Sequence, residues 1–442
     1  MDQKQIRTIV VEKLFGLYDY TLQIPMNANE NVFVLYGDNG TGKSTILRLV
    51  YHILSSEMGG GHKTYLANVA FKIFSVTFND GTEVRAERNN KNGDLYGDYL
   101  LSFKNKIENL QCLLPSEWLE EDHTYRIRTI NIPSKQRSVF IQILSRLEGL
   151  NVFYISDNRN EDKRDYAEFA RHLKKNQLVE DSVEKEMSLL HEWIVGQALE
   201  ASKKGEEGTS DIYMKILSKL CSTKKKEEKP LTYEETKKEI EWLIAKAQSY
   251  AQIGFISETG YADILSKLDK VQRKNRQPAA DILKPYIEIQ KNRIYALDNL
   301  FETIIFLNKS LNDYLYKKCV IYSVDKGFRF YQLKDECDFL QATSVDDKDE
   351  IDVKKLSSGE RQLLRLFGMV IRKSNVCPII IIDEPEISLN IKWQRRLLST
   401  LNYFVRDTKA QFVVATHSFE ILSSHIKNTV KLGDSFIPTT NE

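Results

Sequence analysis

Gly37-Asp38-Asn39-Gly40-Thr41-Gly42-Lys43-Ser44 follows the apolar run NVFVLYG and opens the helix-forming run STILRLVYHILSS. Glycines at 37, 40 and 42 let the backbone N–H groups of this loop, through Asn39, Thr41 and Thr45, converge on phosphate oxygens without a Cβ in the way. The helix N-terminus adds its partial positive charge. The stretch fits G-x-x-x-x-G-K-[ST] in the strand–loop–helix setting that the motif requires. In such a loop Lys43 reaches the β- and γ-phosphates of a nucleotide, and the Ser44 hydroxyl holds Mg²⁺. An ordinary glycine turn before a helix is the plainer reading, but it does not ask for a lysine and a hydroxyl at these two positions.

Ile379-Ile380-Ile381-Ile382-Asp383-Glu384 places two acids directly after a continuous aliphatic run. Such a run suits a strand buried on both faces of a sheet, and carboxylates at its C-terminal end project into the ligand crevice. There Asp383 holds Mg²⁺, directly or through its water, and Glu384 polarises the attacking water as general base. His417 follows the strand-like run QFVVAT; a lone histidine there is more often structural, and its position one strand after the acidic pair is what points it to a terminal phosphate. A fourth stretch, Leu356-Ser357-Ser358-Gly359-Glu360, precedes the helical run RQLLRLFGMVIRK. Ser357, Ser358 and Gly359 offer a hydroxyl and N–H groups to an anion; on local grounds alone, a serine cap supported by Glu360 explains the stretch better.

The surrounding sequence has to hold these residues in place. The 442-residue chain carries 28% charged residues and a net charge of +1, so any basic surface is local and wholesale disorder is not expected. Five cysteines lack CxxC spacing, which speaks against a zinc site or a disulfide framework and for a reducing cytoplasm. No run approaches the ~20 apolar residues that span a bilayer, so no membrane partner is expected. Strand-like segments (IRTIVVEKL, YTLQIP, a hairpin about Asp80-Gly81, NVFYIS) fill residues 1–160 around one helix. Residues 161–318 turn Lys- and Glu-rich, with helical segments at about 163–200, 210–222, 233–252, 261–273 and 280–317. The last carries a seam of Ile287, Ile294, Leu297, Phe301, Ile304, Leu311 and Leu315, broken by Gln290 and Asn308. Strands return over 319–442. The fold class expected is α/β, with mixed sheets in two lobes split by an α-helical insertion.

The order of motifs (glycine-rich loop, LSSGE, apolar run with Asp-Glu, then histidine) resembles the heads of ABC-type ATPases. The resemblance covers about 1–160 and 316–442, and it implies more than the residues alone. In that superfamily the signature loop, here at Ser357, Ser358 and Gly359, grips ATP held by the glycine-rich loop of a second subunit. The resemblance thus implies a homodimer or higher homo-oligomer with shared ATP sites. It implies that Ser388-Leu389-Asn390 communicates between sites, and it makes Asn158 the candidate for the family's Q-loop glutamine at the metal. Ser358 stands where many members have glycine, and Glu360 where glutamine is frequent.

The wide split between the first loop and LSSGE is similar to the SMC-like branch. The segment VEKLFGLYDYTLQIP looks like the stand-alone ATPases of prokaryotic antiviral systems (PtuA of Septu and retron systems, AriA of PARIS) and the ATPase half of OLD nucleases. The chain ends at LGDSFIPTTNE with no further cluster of nuclease carboxylates. An ATP-dependent sensor and scaffold that regulates a separate nuclease-like effector subunit is therefore expected. The alternative is an SMC-like DNA-repair or recombination ATPase that binds DNA directly; a transport or translation-factor ATPase fits the split poorly. Lys267, Lys270, Arg273, Lys274 and Arg276 give a modest nucleic-acid hint, though a solvated turn explains them too. Phe15, Tyr18 and Tyr20 are candidates for lining an adenine or for core packing.

Overall fold

The structure is a computed structural model that describes residues 4–24, 31–58, 61–88, 93–156, 182–206, 232–256, 260–333 and 349–433. The chain divides into two compact units, residues 1–179 with 366–442 and residues 180–365. These units follow packing, whereas the boundaries at 160 and 318 follow composition. The fold is mixed α/β, as expected.

The N-terminal part of the first unit begins with β1 (Ile6–Leu14), β2 (Tyr18–Gln23) and β3 (Val32–Tyr36), then α1 (Lys43–Leu54) and α2 (His62–Ala67). Strands β4 (Ile73–Phe78), β5 (Glu83–Glu87), β6 (Tyr99–Lys104) and β7 (Asn109–Leu114) follow. After them come β8 (Glu117–Leu119), β9 (Thr124–Arg126), α3 (Ser134–Leu147) and β10 (Val152–Ile155). The second unit holds α4 (Ser182–Glu206), α5 (Tyr233–Ala251), α6 (Tyr261–Leu268), α7 (Arg276–Tyr314) and β11 (Lys318–Ser323), β12 (Gly327–Gln332) and β13 (Glu350–Ile351). Helix α8 (Ser358–Ser374) leads back to the first unit, which closes with β14 (Ile379–Asp383), α9 (Ile391–Phe404), β15 (Gln411–Thr416), α10 (Phe419–Ser424) and β16 (Thr429–Lys431).

Two sheets build the first unit. An antiparallel sheet runs β2-β1-β4-β5-β6-β7, and a parallel one runs β10-β14-β15-β3-β16. The sequence separates them: β14 and β15 are buried at every position, as central parallel strands are, while β5 alternates. The expected hairpin is present, with Gly81 at φ +85° between β4 and β5. Helix α1 joins the sheets into one core. Its Ile46, Leu47, Leu49, Val50, Ile53 and Leu54 are fully buried among side chains of both. At roughly 1.5–3 kcal/mol for each aliphatic side chain buried, α1 is held mainly by this apolar contact. Its C-terminal end is held by buried Lys63, whose ammonium donates to the carbonyls of His52, Ile53 and Ser55 at 2.9–3.0 Å.

In the second unit α7 packs against α4 and α5. Of the expected seam, Ile287, Ile294, Leu297, Ile304 and Leu311 are buried. Phe301 is half-buried and stacks on Tyr250 with ring centroids 4.2 Å apart. The helix starts four positions earlier than the apolar spacing indicates and runs through Pro285, which is buried. Pro285 is the tenth residue of this 39-residue helix, so it lies in the interior, where it removes one backbone bond and crowds the carbonyl four residues earlier. The helices expected at 210–222 and over 163–181 lie outside the described residues.

Candidate functional site

The loop of residues 37–42 joins β3 to α1 at the carboxyl end of the parallel sheet. Gly40 (φ +85°) and Gly42 (φ +90°) adopt the left-handed conformation that lets the chain turn into the helix. A Cβ on Gly42 would come within 2.7 Å of the Leu14 side chain, and one on Gly37 within 3.0 Å of the Leu432 carbonyl. The loop therefore needs glycine on both counts, conformation and space. Asp38, Asn39 and Gly40 are exposed, and Thr41 is pinned by its hydroxyl to the Asp38 carbonyl (2.8 Å). Lys43 is buried, and its ammonium donates to the carbonyls of Gly37 (2.7 Å) and Asp38 (2.9 Å), lying across the mouth of its own loop. Ser44 and Thr45 in the first turn of α1 are half-buried. The N–H groups of that turn lack intrahelical partners and face the loop.

The acidic strand meets this loop. Ser44 Oγ donates to Asp383 Oδ1 at 3.0 Å. The other oxygen of Asp383, Oδ2, accepts from the Tyr154 hydroxyl at 2.9 Å, and Arg48 Nε lies 3.4 Å from that hydroxyl. Burial, with the Asp383 charge adding to it, raises the Tyr154 pKa far above the usual phenol range, so the phenol stays a donor. Asp383 itself is 2% exposed.

Glu384 follows at φ +46°, a left-handed conformation that a non-glycine residue adopts only at a cost. Its N–H donates to the Ala415 carbonyl (2.9 Å), carrying the β14–β15 ladder one residue further. The carboxylate is partly exposed, and its Oε1 lies 3.6 Å from His417 Nδ1. The same Nδ1 lies 3.3 Å from Glu386 Oε1. Glu386 is 5% exposed; its Oε1 accepts from the Thr416 hydroxyl (2.5 Å), the His417 N–H (2.9 Å) and the Ser418 N–H (3.2 Å). One buried carboxylate thus holds the whole turn that carries His417.

Ser44, Asp383, Glu384 and His417 are therefore brought together at the carboxyl ends of three successive strands of the sheet, β14, β15 and β3, with Lys43 beside them. Asn390 is exposed and serves as N-cap of α9, accepting from Trp393 N–H at 3.0 Å. Asn158 lies outside the described residues. In the second unit Ser357 and Glu360 form a reciprocal cap: the Ser357 hydroxyl accepts from Glu360 N–H (3.3 Å), and Glu360 Oε2 accepts from Ser357 N–H (2.6 Å). Lys318 ties down that carboxylate at 2.9 Å. Ser357 and Ser358 are exposed, and Gly359 is buried. Tyr20 is buried and donates to the Thr41 carbonyl (3.2 Å), while Phe15 is 43% exposed beside Gly42. Tyr154, Arg48 and Glu386 escape the sequence reading. For Glu386 a signal existed, an acid two residues after Glu384 across a proline.

A family model described as "AAA domain, putative AbiEii toxin, Type IV TA system" matches residues 32–423. No curated protein matches the chain. Among solved structures the chain is similar to the Smc head domain with an extended coiled coil bound to the C-terminal domain of ScpA, derived from Pyrococcus furiosus. Identity there is 14%, over 98% of this chain and 94% of that one, with a TM-score of 0.36. It is also similar to an SmcHead bound to the C-winged helix domain of ScpA, at 11% identity over 95% and 91% of the two chains, with a TM-score of 0.33.

Proposed function

The chain belongs to the AAA-domain family whose model spans residues 32–423, and on that premise we propose that it binds and hydrolyses ATP with the residues gathered about Ser44 and Asp383. The observation that carries this reading is the 3.0 Å bond between those two side chains, which joins the glycine-rich loop to the acidic strand. Two hard oxygen donors beside a phosphate loop suit Mg²⁺, which takes one or two protein oxygens and completes its shell with phosphate and water. Ser44 and Asp383 would hold it, and when bound it neutralises charge on the transferring phosphoryl group. Asn158 is kept as a further candidate for that metal.

The chain's own residues do the rest. N–H groups at Asn39, Gly40, Thr41, Gly42, Lys43, Ser44 and Thr45 cradle phosphates beside Gly37, and Lys43 turns from its loop carbonyls to phosphate oxygens. Glu384 accepts a proton as water attacks the γ-phosphorus and the bond to the bridging oxygen breaks, releasing ADP and phosphate. His417, its Nδ1 side held by Glu386, presents Nε2 to the terminal phosphate. Ser357, Ser358 and Gly359 of a second chain close over the same nucleotide, and Asn390 lies on the path between the paired sites. On this reading residues 1–160 and 319–442 are the ATPase lobes, and 161–318 is the insertion between them.

The biological role we propose is a cytoplasmic sensor and scaffold in antiviral defence. There an ATP-bound homodimer or larger homo-oligomer restrains or releases a separate effector, a nuclease-like subunit. The toxin-system description of the family model favours this over genome maintenance. Direct DNA binding has one observation of its own, the exposed Lys267, Lys270, Arg273 and Lys274 about the end of α6. Purification of the Glu384→Gln protein from its host with ATP and Mg²⁺, followed by mass spectrometry, separates the two. A stoichiometric nuclease-like subunit supports the defence role. DNA with repair factors and no such subunit overturns it.

A further inference from the structure

Helix α1 presents Ser44 and Arg48 one turn apart, on the same face. Ser44 reaches Asp383 directly, and Arg48 reaches it through the Tyr154 hydroxyl, 3.4 Å from Arg48 Nε and 2.9 Å from Asp383 Oδ2. Tyr51, one further turn along α1, stacks on the Tyr154 ring with centroids 5.6 Å apart. Tyr154 stands on β10, the edge strand of the parallel sheet, paired in register with Ile381 of β14. The ring is thus gripped between helix and sheet, and its hydroxyl is aimed at the carboxylate oxygen that faces away from Ser44.

We propose that Tyr154 is a positioning residue for Mg²⁺ at the nucleotide site, fixing the rotation of the Asp383 carboxylate so that Oδ1 alone is presented beside Ser44. The inference rests on the ATP-site reading above. A carboxylate with one oxygen already bonded to this half-buried phenol is held against the rotation that would turn both oxygens toward one cation. It also does not have to be ordered when the cation arrives. Outer hydrogen bonds of this kind are typically worth about 10- to 100-fold in metal affinity. A phenol in a strand could instead serve packing alone, through its contact with Tyr51. That alternative predicts no effect of the hydroxyl on metal demand.

The test compares wild type with Tyr154→Phe by equilibrium binding of a fluorescent ATP analogue, with Mg²⁺ titrated from zero. The expected result is a half-saturating Mg²⁺ concentration raised about tenfold or more, with affinity for the metal-free nucleotide unchanged. Equal Mg²⁺ demand in the two proteins overturns the inference while leaving the ATP site intact. Failure of wild type to bind nucleotide better than Lys43→Ala instead overturns the ATP-site reading itself. If Tyr154→Phe does not fold, 3-fluorotyrosine placed at position 154 of the full chain keeps the hydroxyl. Its ¹⁹F resonance shifts when Mg²⁺ joins bound nucleotide if the inference holds, and stays in place if it does not.

Discussion

Ser44 Oγ and Asp383 Oδ1 are 3.0 Å apart although the strands that deliver them are not neighbours. Strand β3 precedes Ser44, β14 ends at Asp383, and β15 lies between the two in the sheet. Strands two places apart are separated by about 10 Å, so only a loop and helix start arching over the end of β15 can close the gap. Asp383 must then accept on both oxygens, from Ser44 and from Tyr154. Asp383→Asn keeps the shape but turns one acceptor into a donor facing a hydroxyl. We expect it to lose Mg²⁺-dependent nucleotide binding and about 1–3 kcal/mol of stability, read by titration and denaturant unfolding. An unchanged Mg²⁺ dependence would remove Asp383 from the metal site.

Glu384 combines a strained backbone with a partly exposed carboxylate, which separates its chemistry from its structural role. Glu384→Gln should bind ATP normally and lose about 10²- to 10⁴-fold in turnover. Glu384→Gly should lose as much turnover while gaining up to about 1 kcal/mol of stability, because glycine takes a left-handed φ without strain. Calorimetry and a phosphate-release assay read both quantities. A drop in stability for the glycine variant would show that the carboxylate, not the chemistry, is what the fold needs.

Glu386 Oε1 collects the Thr416 hydroxyl and two N–H groups of the His417 turn. Glu386→Gln keeps an oxygen for them, whereas Glu386→Ala leaves three donors without it. We expect kcat to fall sharply for the alanine variant, with KM little changed, and the glutamine variant to restore most of it. Wild-type kcat in Glu386→Ala would mean that His417 needs no such support, or takes no part.

The chemistry-bearing residues were legible where type and spacing coincide. The glycine-rich loop needs glycine at left-handed positions, and four isoleucines before Asp383 require a strand buried on both faces. Tyr154 was not legible, because tyrosine is an ordinary strand residue and its partner depends on β10 lying next to β14. That pairing joins residues far apart in the chain, and no local pattern encodes it. Glu386 was missed for another reason. A sequence argument looks for acids aimed at a ligand, and this one is turned back on its own turn.

Burial, with the neighbouring His62, Lys63 and Arg48 charges adding to it, pushes the His52 pKa down to about 2 from 6.5. The folded protein therefore keeps this imidazole neutral where the unfolded chain takes up a proton. The His52 contribution to stability is fully present above pH 6.5 and is lost progressively as pH falls from there toward 2. His52 Nδ1 lies 3.0 Å from His62 Nδ1, and the His52 ring stacks on Tyr65 near the end of α1. Acid loss of stability should thus begin below pH 6.5 and be shallower in His52→Gln, as measured by urea unfolding across pH 4–8. Identical slopes for the two proteins would assign the acid sensitivity to other groups.

The reciprocal cap of Ser357 and Glu360 bears on any test of shared active sites. Ser357→Ala removes an N-cap and should cost about 1 kcal/mol of stability whether or not the residue touches ATP. Ser357→Asn retains a capping side chain, so a turnover defect in it at unchanged stability belongs to the nucleotide and not to the helix. The same distinction governs complementation. Lys43→Ala lacks a working glycine-rich loop, and Ser357→Arg lacks a working signature, yet in a mixed dimer with shared sites one composite site has neither defect. Mixing the two proteins should therefore restore part of the turnover that neither shows alone, with the maximum near equal amounts. Recovery at no ratio, with both variants folded and still dimeric, would mean that each chain completes its own site.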